Sequence, residues 1–353
     1  MDIKEFKSDF GSHVDTFLET QLATYGEYTG DEFLLSLIHH VGDVAAGGKC
    51  VRPYMAAVMY KGLSGEEEIS HEVMNLLVAI ELLHTFALVH DDVIDEAGTR
   101  HQTETIHRYA TRKMQEEGRS GKLEHIGEAQ AILVGNLLYT WVNNLFAQAV
   151  ATHEYGFAAW QAFHKMADEV IVGQMIDVDL MTRATSNWDL IESKMKLKTA
   201  GYTFVRPMQI GAALAGKAEE YEDFCLTFGR ALGVGFQVQD DLLDLLANPE
   251  TLKKPVLLDI KEHQHTYLTQ YIVENGTDQE RQKLQEYWGK DFDPIKRDEI
   301  IELFTSSGAV DYSLSKAQEY FGQARDAVQE VDLNPSTKDI LRGLITYIEH
   351  RSH

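Results

Sequence analysis

Two acidic triplets carry the strongest chemical signal in the chain. Asp91-Asp92-Val93-Ile94-Asp95 is echoed 149 positions later by Asp240-Asp241-Leu242-Leu243-Asp244. Each sets two adjacent carboxylates and a third one helical turn on. Each closes an apolar, helix-forming run, Val78–Val89 before the first and Ala231–Val238 before the second. Residues four apart share a helix face, so Asp91 aligns with Asp95 and Asp240 with Asp244. Three like charges within about one turn repel unless positive charge sits among them. Hard oxygen donors that leave room for water and phosphate oxygens suit Mg²⁺. One such triplet reads equally well as an exposed acidic helix end, whereas a matched pair points to a paired metal site. Metal held there would grip a diphosphate and neutralise the charge gathering on it as it departs, an electrostatic route to breaking a carbon–oxygen bond. Nearby Lys and Arg would add charge-assisted hydrogen bonds. The apolar faces would shelter a greasy chain and keep water from a carbocation.

The elements that must hold these residues are helices. Only six prolines occur, and strand-like alternation is scarce. Apolar spacing predicts helices from about Lys4 to Tyr25 and from Asp31 to Val41. Gly47 and Gly48 interrupt that pattern and bring Lys49 and Arg52 just before Pro53, which suits a first helical turn. A long helix over 67–89 leads to the first triplet, with His84 seven residues before Asp91; alone, that histidine reads as a core residue. The chain then turns at Gly98 and presents Arg100 and His101. Residues 116–128 read as a mobile loop, and helices resume over about 129–153 and 156–181. Lys194, Lys196 and Lys198 read as a solvated face, while Gly201 and Pro207 predict a kink that frees backbone carbonyls. A second acidic helix spans about 219–246, followed by a loop to Asp259. Helices beyond Thr266 break near Gly276 and Asp293-Pro294. No repeat or linker divides the chain. The reading is one large all-helical domain, residues 1–353, with a motif-bearing core over about 44–270 and a C-terminal helical extension over 276–353.

Composition narrows the partners. With 32 Lys+Arg against 56 Asp+Glu, the net charge is −24, which argues against nucleic acid and anionic membranes. A phosphate substrate must be bound by local cations and metal against an unfavourable overall field. Cys50 and Cys225 form no disulfide framework or zinc pattern, as expected for a reducing cytoplasm. The N-terminus lacks the apolar core of a signal peptide, and no uninterrupted apolar run of about 18 residues occurs. A soluble protein without a transmembrane segment is expected.

Over roughly Gly47 to Leu268 the chain resembles the trans-isoprenyl diphosphate synthases, or polyprenyl synthetases. The likeness rests on Gly48-Lys49-Cys50-Val51-Arg52-Pro53, His84, the first triplet with Arg100, Lys198-Thr199, and Phe236-Gln237-Val238-Gln239 leading into the second triplet. Lys198-Thr199-Ala200-Gly201-Tyr202-Thr203-Phe204-Val205-Arg206-Pro207 is most similar to geranylgeranyl-type enzymes. The resemblance implies an all-α fold, a single large helical bundle of the isoprenoid synthase type around a central apolar cavity, and a homodimer. It implies three Mg²⁺ ions on Asp91, Asp92, Asp95, Asp240, Asp241 and Asp244. It also implies head-to-tail condensation of an allylic diphosphate with isopentenyl diphosphate, the latter held by Lys49, Arg52 and His84. Arg100 and Lys198 would bind the allylic diphosphate. Lys198, Thr199 and Gln237 would carry the chemistry, the Thr199 hydroxyl and Gln237 carbonyl lying near the cation.

Four departures qualify the likeness. His101 stands where the family usually has a second arginine, and Gln102 where glycine is usual. His263-Gln264 replaces a glycine-lysine pair, and Leu257-Leu258 the loop glycine before Asp259. Each lost cation removes charged hydrogen bonds worth about 1.5–3 kcal/mol. Weakened substrate binding is expected, with Lys254, Lys261 or a protonated His101 as compensation. Product length can be read from the helix above Asp91. Phe86 and Ala87 lie roughly 6–8 Å and Leu83 roughly 12 Å up it, so a ring at Phe86 would act as a floor. Geranylgeranyl-type members carry an aromatic at the Phe86 position, and the two-residue insertion of bacterial farnesyl enzymes is absent. A twenty-carbon product is expected, with farnesyl diphosphate as alternative. A weakly active or regulatory homologue, a terpene cyclase and a head-to-head squalene or phytoene synthase are the other readings; the second-substrate cations Lys49 and Arg52 count against a cyclase, and the Gly-Lys-x-x-Arg-Pro and Phe-Gln-x-x-Asp-Asp contexts against a head-to-head enzyme.

Overall fold

The computed structural model describes residues 3–66, 68–100, 102–248 and 256–350. These residues are helical almost throughout. Among them the strands are one two-residue hairpin, β1 (Thr99–Arg100) antiparallel to β2 (Thr103–Glu104). The chain forms two compact units, one of residues 1–162 with 210–218, the other of residues 163–209 with 219–353.

The first unit contains α1 (Ile3–Tyr28), α2 (Glu32–Ala46), α3 (Val51–Ser64), α4 (His71–Ile94), α5 (Ile106–Glu116) and α6 (Leu123–Thr152). The Ser70 hydroxyl starts α4 by accepting from the Val73 backbone N–H, one of the donors a helix start leaves unpaired. Val73, Leu77, Ala79, Ile80, Leu82 and Leu83 are all fully buried, so α4 is apolar on every side and forms the axis of its unit, packed against α1, α2, α3 and α6. By length and composition alone α4 could cross a bilayer, but 72% of its most apolar stretch is buried inside the structure, as in the central helix of a large core. It runs five residues past the predicted end at Val89, carrying Asp91 and Asp92 in its last turn. Asp95 is its C-cap, and the Asp95 N–H still donates to the Asp91 carbonyl at 2.8 Å. Buried His40 of α2 stacks on Tyr109 and contacts the Glu104 carbonyl at 2.8 Å, which pins the hairpin that follows the triplet. The predicted loop over 116–128 shrinks to 117–122, because α5 and α6 extend into it from both sides.

The second unit is built on α7 (Gly156–Leu180), α8 (Trp188–Lys194), a π-helical segment (Met195–Val205), α9 (Arg206–Leu214) and α10 (Glu222–Leu246); the division between units crosses α7 and α9. Then come α11 (Leu258–Lys261), α12 (Tyr267–Asn275), α13 (Asp278–Tyr287), a 3₁₀ turn (Pro294–Lys296), α14 (Arg297–Ser306), α15 (Ala309–Glu330) and α16 (Pro335–Glu349). The kink expected from Gly201 and Pro207 takes the form of the π-helix, a wider winding that frequently marks functional sites. Glycines let it lie at backbone contact with its neighbours. A Cβ on Gly173 of α7 would fall 2.4 Å from the Lys198 backbone N, and one on Gly233 of α10 would fall 2.3 Å from Ala200 Cα.

Left-handed backbone is adopted by, among other non-glycine residues, Gln102 (φ 67°), Leu257 (φ 61°) and His263 (φ 58°). These three stand where the resemblance expects glycine, so these turns keep a glycine conformation with bulkier residues in it, at about 1–2 kcal/mol each.

Two stability predictions follow from this backbone. Gly173→Ala should push the π-helix off α7 and lower unfolding free energy by about 1–3 kcal/mol, measured by urea denaturation. At exposed Gln102, substitution by glycine should be neutral to stabilising by up to about 1 kcal/mol, relief of strain outweighing the added freedom of the unfolded chain; a clear loss would show that the turn is unstrained.

Candidate active site

In the first unit the carboxylates of the first triplet are met by one guanidinium. Arg100 Nε and Nη2 donate to Asp92 Oδ1 at 2.8 and 2.5 Å, and Nη2 lies 3.7 Å from Asp91 Oδ2. Asp92 is 1% exposed. Burial pushes its carboxyl above the usual range, Arg100 draws it back, and Asp91 adds to the rise. Burial works against the charge on Arg100 as well, yet Asp92, Asp91 and Asp95 outweigh it and hold the guanidinium firmly protonated. Arg100, expected on a diphosphate, is thus the counter-ion of the triplet in the ligand-free protein. The hairpin strand β1 delivers it.

On the same unit the glycine-containing connection puts Lys49 on the surface, Cys50 in left-handed backbone (φ 52°) as the N-cap of α3, and Arg52 in the first turn. Behind it lies a residue that the sequence reading missed. Glu81 of α4 is 3% exposed, and a Cβ on Gly48 would meet its Oε1 at 2.8 Å. Burial raises its carboxyl to about 7 against the pull of Arg52 and Lys7. Its Oε2 has no hydrogen-bond partner in the described structure. The available signal was a lone carboxylate inside an apolar run, ten residues before Asp91. Half-buried His84 lies on the next turn of the helix.

Leu83 is fully buried, Phe86 is 8% exposed, and Ala87 is half-buried. The Phe86 ring packs edge-on to His90 at 4.8 Å and against Tyr139 of α6 at 5.2 Å. His90 and Tyr139 therefore thicken the aromatic layer that Phe86 alone suggested.

In the second unit a hydrogen-bonded chain runs from the π-helix to the second triplet. The Thr199 hydroxyl donates to Gln237 Oε1 at 2.7 Å, and Gln237 Nε2 donates to Asp241 Oδ1 at 2.8 Å. Asp241 is 5% exposed, and its Oδ2 has no hydrogen-bond partner in the described structure. Asp240 is exposed. Asp244 caps the short helix α11, accepting from the backbone N–H groups of Leu258 and Asp259 at 3.1 Å each. That brings Asp259 in as a fourth carboxylate. Burial raises Asp241, Asp244 and Asp259, and the mutual repulsion of the acids adds to the rise.

The lysine run is not a solvated face. Lys194 is buried, Lys198 Nζ donates to Asp177 Oδ2 at 2.5 Å, and only Lys196 pairs near the surface, with Glu192. Burial would raise Asp177, but Lys194 and Lys198 hold it below the ordinary carboxylate range. Of the expected compensating cations, His101 and Lys254 lie outside the described residues. Lys261 is 5.2 Å over the Phe292 ring.

Crowded hard-oxygen donors with an unpartnered buried oxygen fit a divalent cation. Among the described residues no three His, Cys, Asp or Glu side chains close round a point that a metal would fill. An open arrangement of that kind suits an ion that keeps waters and takes substrate oxygens.

The Glu81 carboxyl makes a pH prediction. Because its folded pKa is raised, its stability contribution is present at low pH and lost as pH rises through about 7. Glu81→Gln should flatten the fall in thermal midpoint between about pH 4.5 and 7; an unchanged slope would mean the carboxyl is not a buried acid.

A family model described as polyprenyl synthetase matches residues 33–304. A geranylgeranyl pyrophosphate synthase of Geoglobus acetivorans is 30% identical over 312 residues, 87% of this chain and 88% of that protein. A geranylfarnesyl diphosphate synthase of Aeropyrum pernix is 28% identical over 316 residues, 87% of this chain and 92% of that one. Among solved structures, the geranylgeranyl pyrophosphate synthase of Corynebacterium glutamicum complexed with isoprenyl diphosphate and magnesium superposes with a TM-score of 0.92. That structure is 26% identical, and the match covers 99% of this chain and 100% of that one.

Proposed function

The chain belongs to the polyprenyl synthetase family and is a trans-prenyl diphosphate synthase with the all-α isoprenoid synthase fold; from that premise we propose that it makes geranylgeranyl diphosphate in a Mg²⁺-dependent reaction. The substrates are isopentenyl diphosphate and an allylic diphosphate. Asp91, Asp92, Asp95, Asp240, Asp241 and Asp244 hold Mg²⁺, with three ions per site. Bound Mg²⁺ supplies neutralisation of the charge that gathers on the leaving diphosphate. Arg100 and Lys198, each paired with a carboxylate in the ligand-free protein, turn to the allylic diphosphate. Lys49, Arg52 and His84 take isopentenyl diphosphate, with Glu81 holding the Arg52 side of that site.

The allylic carbon–oxygen bond breaks, and both electrons leave with the diphosphate. The isopentenyl double bond attacks the allylic cation, a new carbon–carbon bond forms, and the released diphosphate takes the proton that restores a double bond. The Thr199–Gln237–Asp241 chain carries this reading. Thr199 gives its only proton to Gln237, so its oxygen lone pairs are left to face positive charge, while Asp241 keeps the amide in orientation. The resulting dipoles are preorganised, which is where electrostatic stabilisation is strongest.

A homodimer in the cytoplasm, with no nucleic-acid partner and no membrane span, completes the proposal. Support for the dimer is local: Leu133 on α6 is 60% exposed and Met175 on α7 is 66% exposed, large apolar side chains that a second copy would cover. The two cysteines are free.

Purified protein incubated with Mg²⁺, isopentenyl diphosphate and each allylic diphosphate in turn tests the reading. Turnover to a twenty-carbon product supports it. Product from an allylic diphosphate alone, or no turnover with any pair, overturns it. Phe86→Ala should extend the products by one or more five-carbon units on thin-layer analysis, and an unchanged length would reject the aromatic floor.

A further inference from the structure

Lys194 ends α8 and is 7% exposed. Its ammonium is ion-paired with Asp177 Oδ1 at 3.0 Å, and it donates to Gln264 Oε1 at 3.2 Å and to the His265 carbonyl at 3.0 Å. These three acceptors lie on α7 and on the segment that leaves α11, so one cation ties both to the start of the π-helix. The Gln264 that it holds is bonded in turn to the second acidic group: the Gln264 N–H donates to the Asp259 carbonyl at 2.8 Å, and the Asp259 N–H to Asp244 Oδ2 at 3.1 Å. Gln264, itself 9% exposed, occupies the position where the family resemblance expects lysine.

We propose that Lys194 supplies the fixed positive charge of the second acidic group from a different helix, with Gln264 as its hydrogen-bond seat. The proposal rests on the reading of the preceding subsection. An ammonium has three hydrogens, and three acceptors surround this one, so Lys194 acts without touching substrate and is a positioning residue. It places a fixed cation on the segment that joins Asp259 to Asp244. Through Gln264 and His265 it also fixes the segment whose other end carries Asp259; the Gln264 N–H donates back to the Asp259 carbonyl at 2.8 Å. Loss of a cation at position 264 is thereby made good, and binding at this half of the site is not weakened as the departure alone suggests. A lysine at both positions would set two ammonium groups within reach of one another, and at neither would leave the acids without a buried counter-ion.

The test is a cycle of the full-length wild type, Lys194→Met, Gln264→Lys and the double variant. Binding of inorganic diphosphate in the presence of Mg²⁺ is measured by calorimetry, thermal midpoint without Mg²⁺, and KM and kcat where turnover occurs. Lys194→Met should weaken diphosphate binding roughly tenfold or more, with KM rising in step. Gln264→Lys should also weaken binding. The double variant should return to within about threefold of wild type, because the charge has only moved. Wild-type binding in Lys194→Met overturns the proposal, as does a double variant that binds no better than Lys194→Met. Should Lys194→Met not fold, the double variant decides: a folded, diphosphate-binding double variant supports charge relocation, and one that stays unfolded or non-binding overturns it. The binding cycle needs no turnover. Failure of the proposed reaction, seen as an inert wild type with every substrate pair, is therefore read separately.

Discussion

Repulsion between carboxylates gathered at the ends of apolar helices is the constraint on which the rest depends. In water, adjacent ionised acids repel mildly; beside a packed apolar face, solvent no longer screens them and burial itself disfavours charge. Both units solve the problem with a minimum of positive charge. The first brings one arginine by a hairpin, and the second brings lysines from a neighbouring helical segment through Asp177. Neither solution is complete: Asp92, Asp241, Asp244 and Asp259 all remain pushed above the ordinary carboxylate range. A residual demand for cations is what a metal- and diphosphate-binding protein requires when empty. Fully neutralised acids would have nothing left to offer magnesium.

The architecture around these acids serves their placement. The apolar axis helix α4 holds Asp91 and Asp92 at its last turn, and the glycines of α7 and α10 admit the π-helix at backbone contact. The segment from Lys194 to Val205 brings Lys194 and Lys198 together on Asp177, Lys194 reaching Gln264 and His265 as well, while Thr199 turns to Gln237. At the turns, backbone that the resemblance assigns to glycine is kept by Gln102, Leu257 and His263, so the loops hold their path under strain.

Helical class was legible because apolar spacing at three to four residues recurs along nearly the whole chain. The acid triplets were legible because their spacing is local. Several contributors were not, for identifiable reasons. Glu81 looks like any charged residue on a helix until burial and Gly48 are seen together. Lys194 sits in a lysine run, and solvation of such runs is the ordinary outcome; only packing against residues about 70 positions away reverses it. The role of Asp244 as a cap for α11 depends on a loop path that composition does not encode. Tyr139 joins Phe86 from a separate helix, a contact set by packing of α4 on α6 rather than by any motif.

The most direct measurement is diffraction from crystals grown with Mn²⁺ in place of Mg²⁺ and a non-reactive allylic diphosphate analogue, with the metal located by its anomalous signal. The account predicts that the ions bound to the diphosphate draw carboxylate ligands from both Asp91-Asp92-Asp95 and Asp240-Asp241-Asp244. Metal bound through only one of these sets, or away from both, would contradict it.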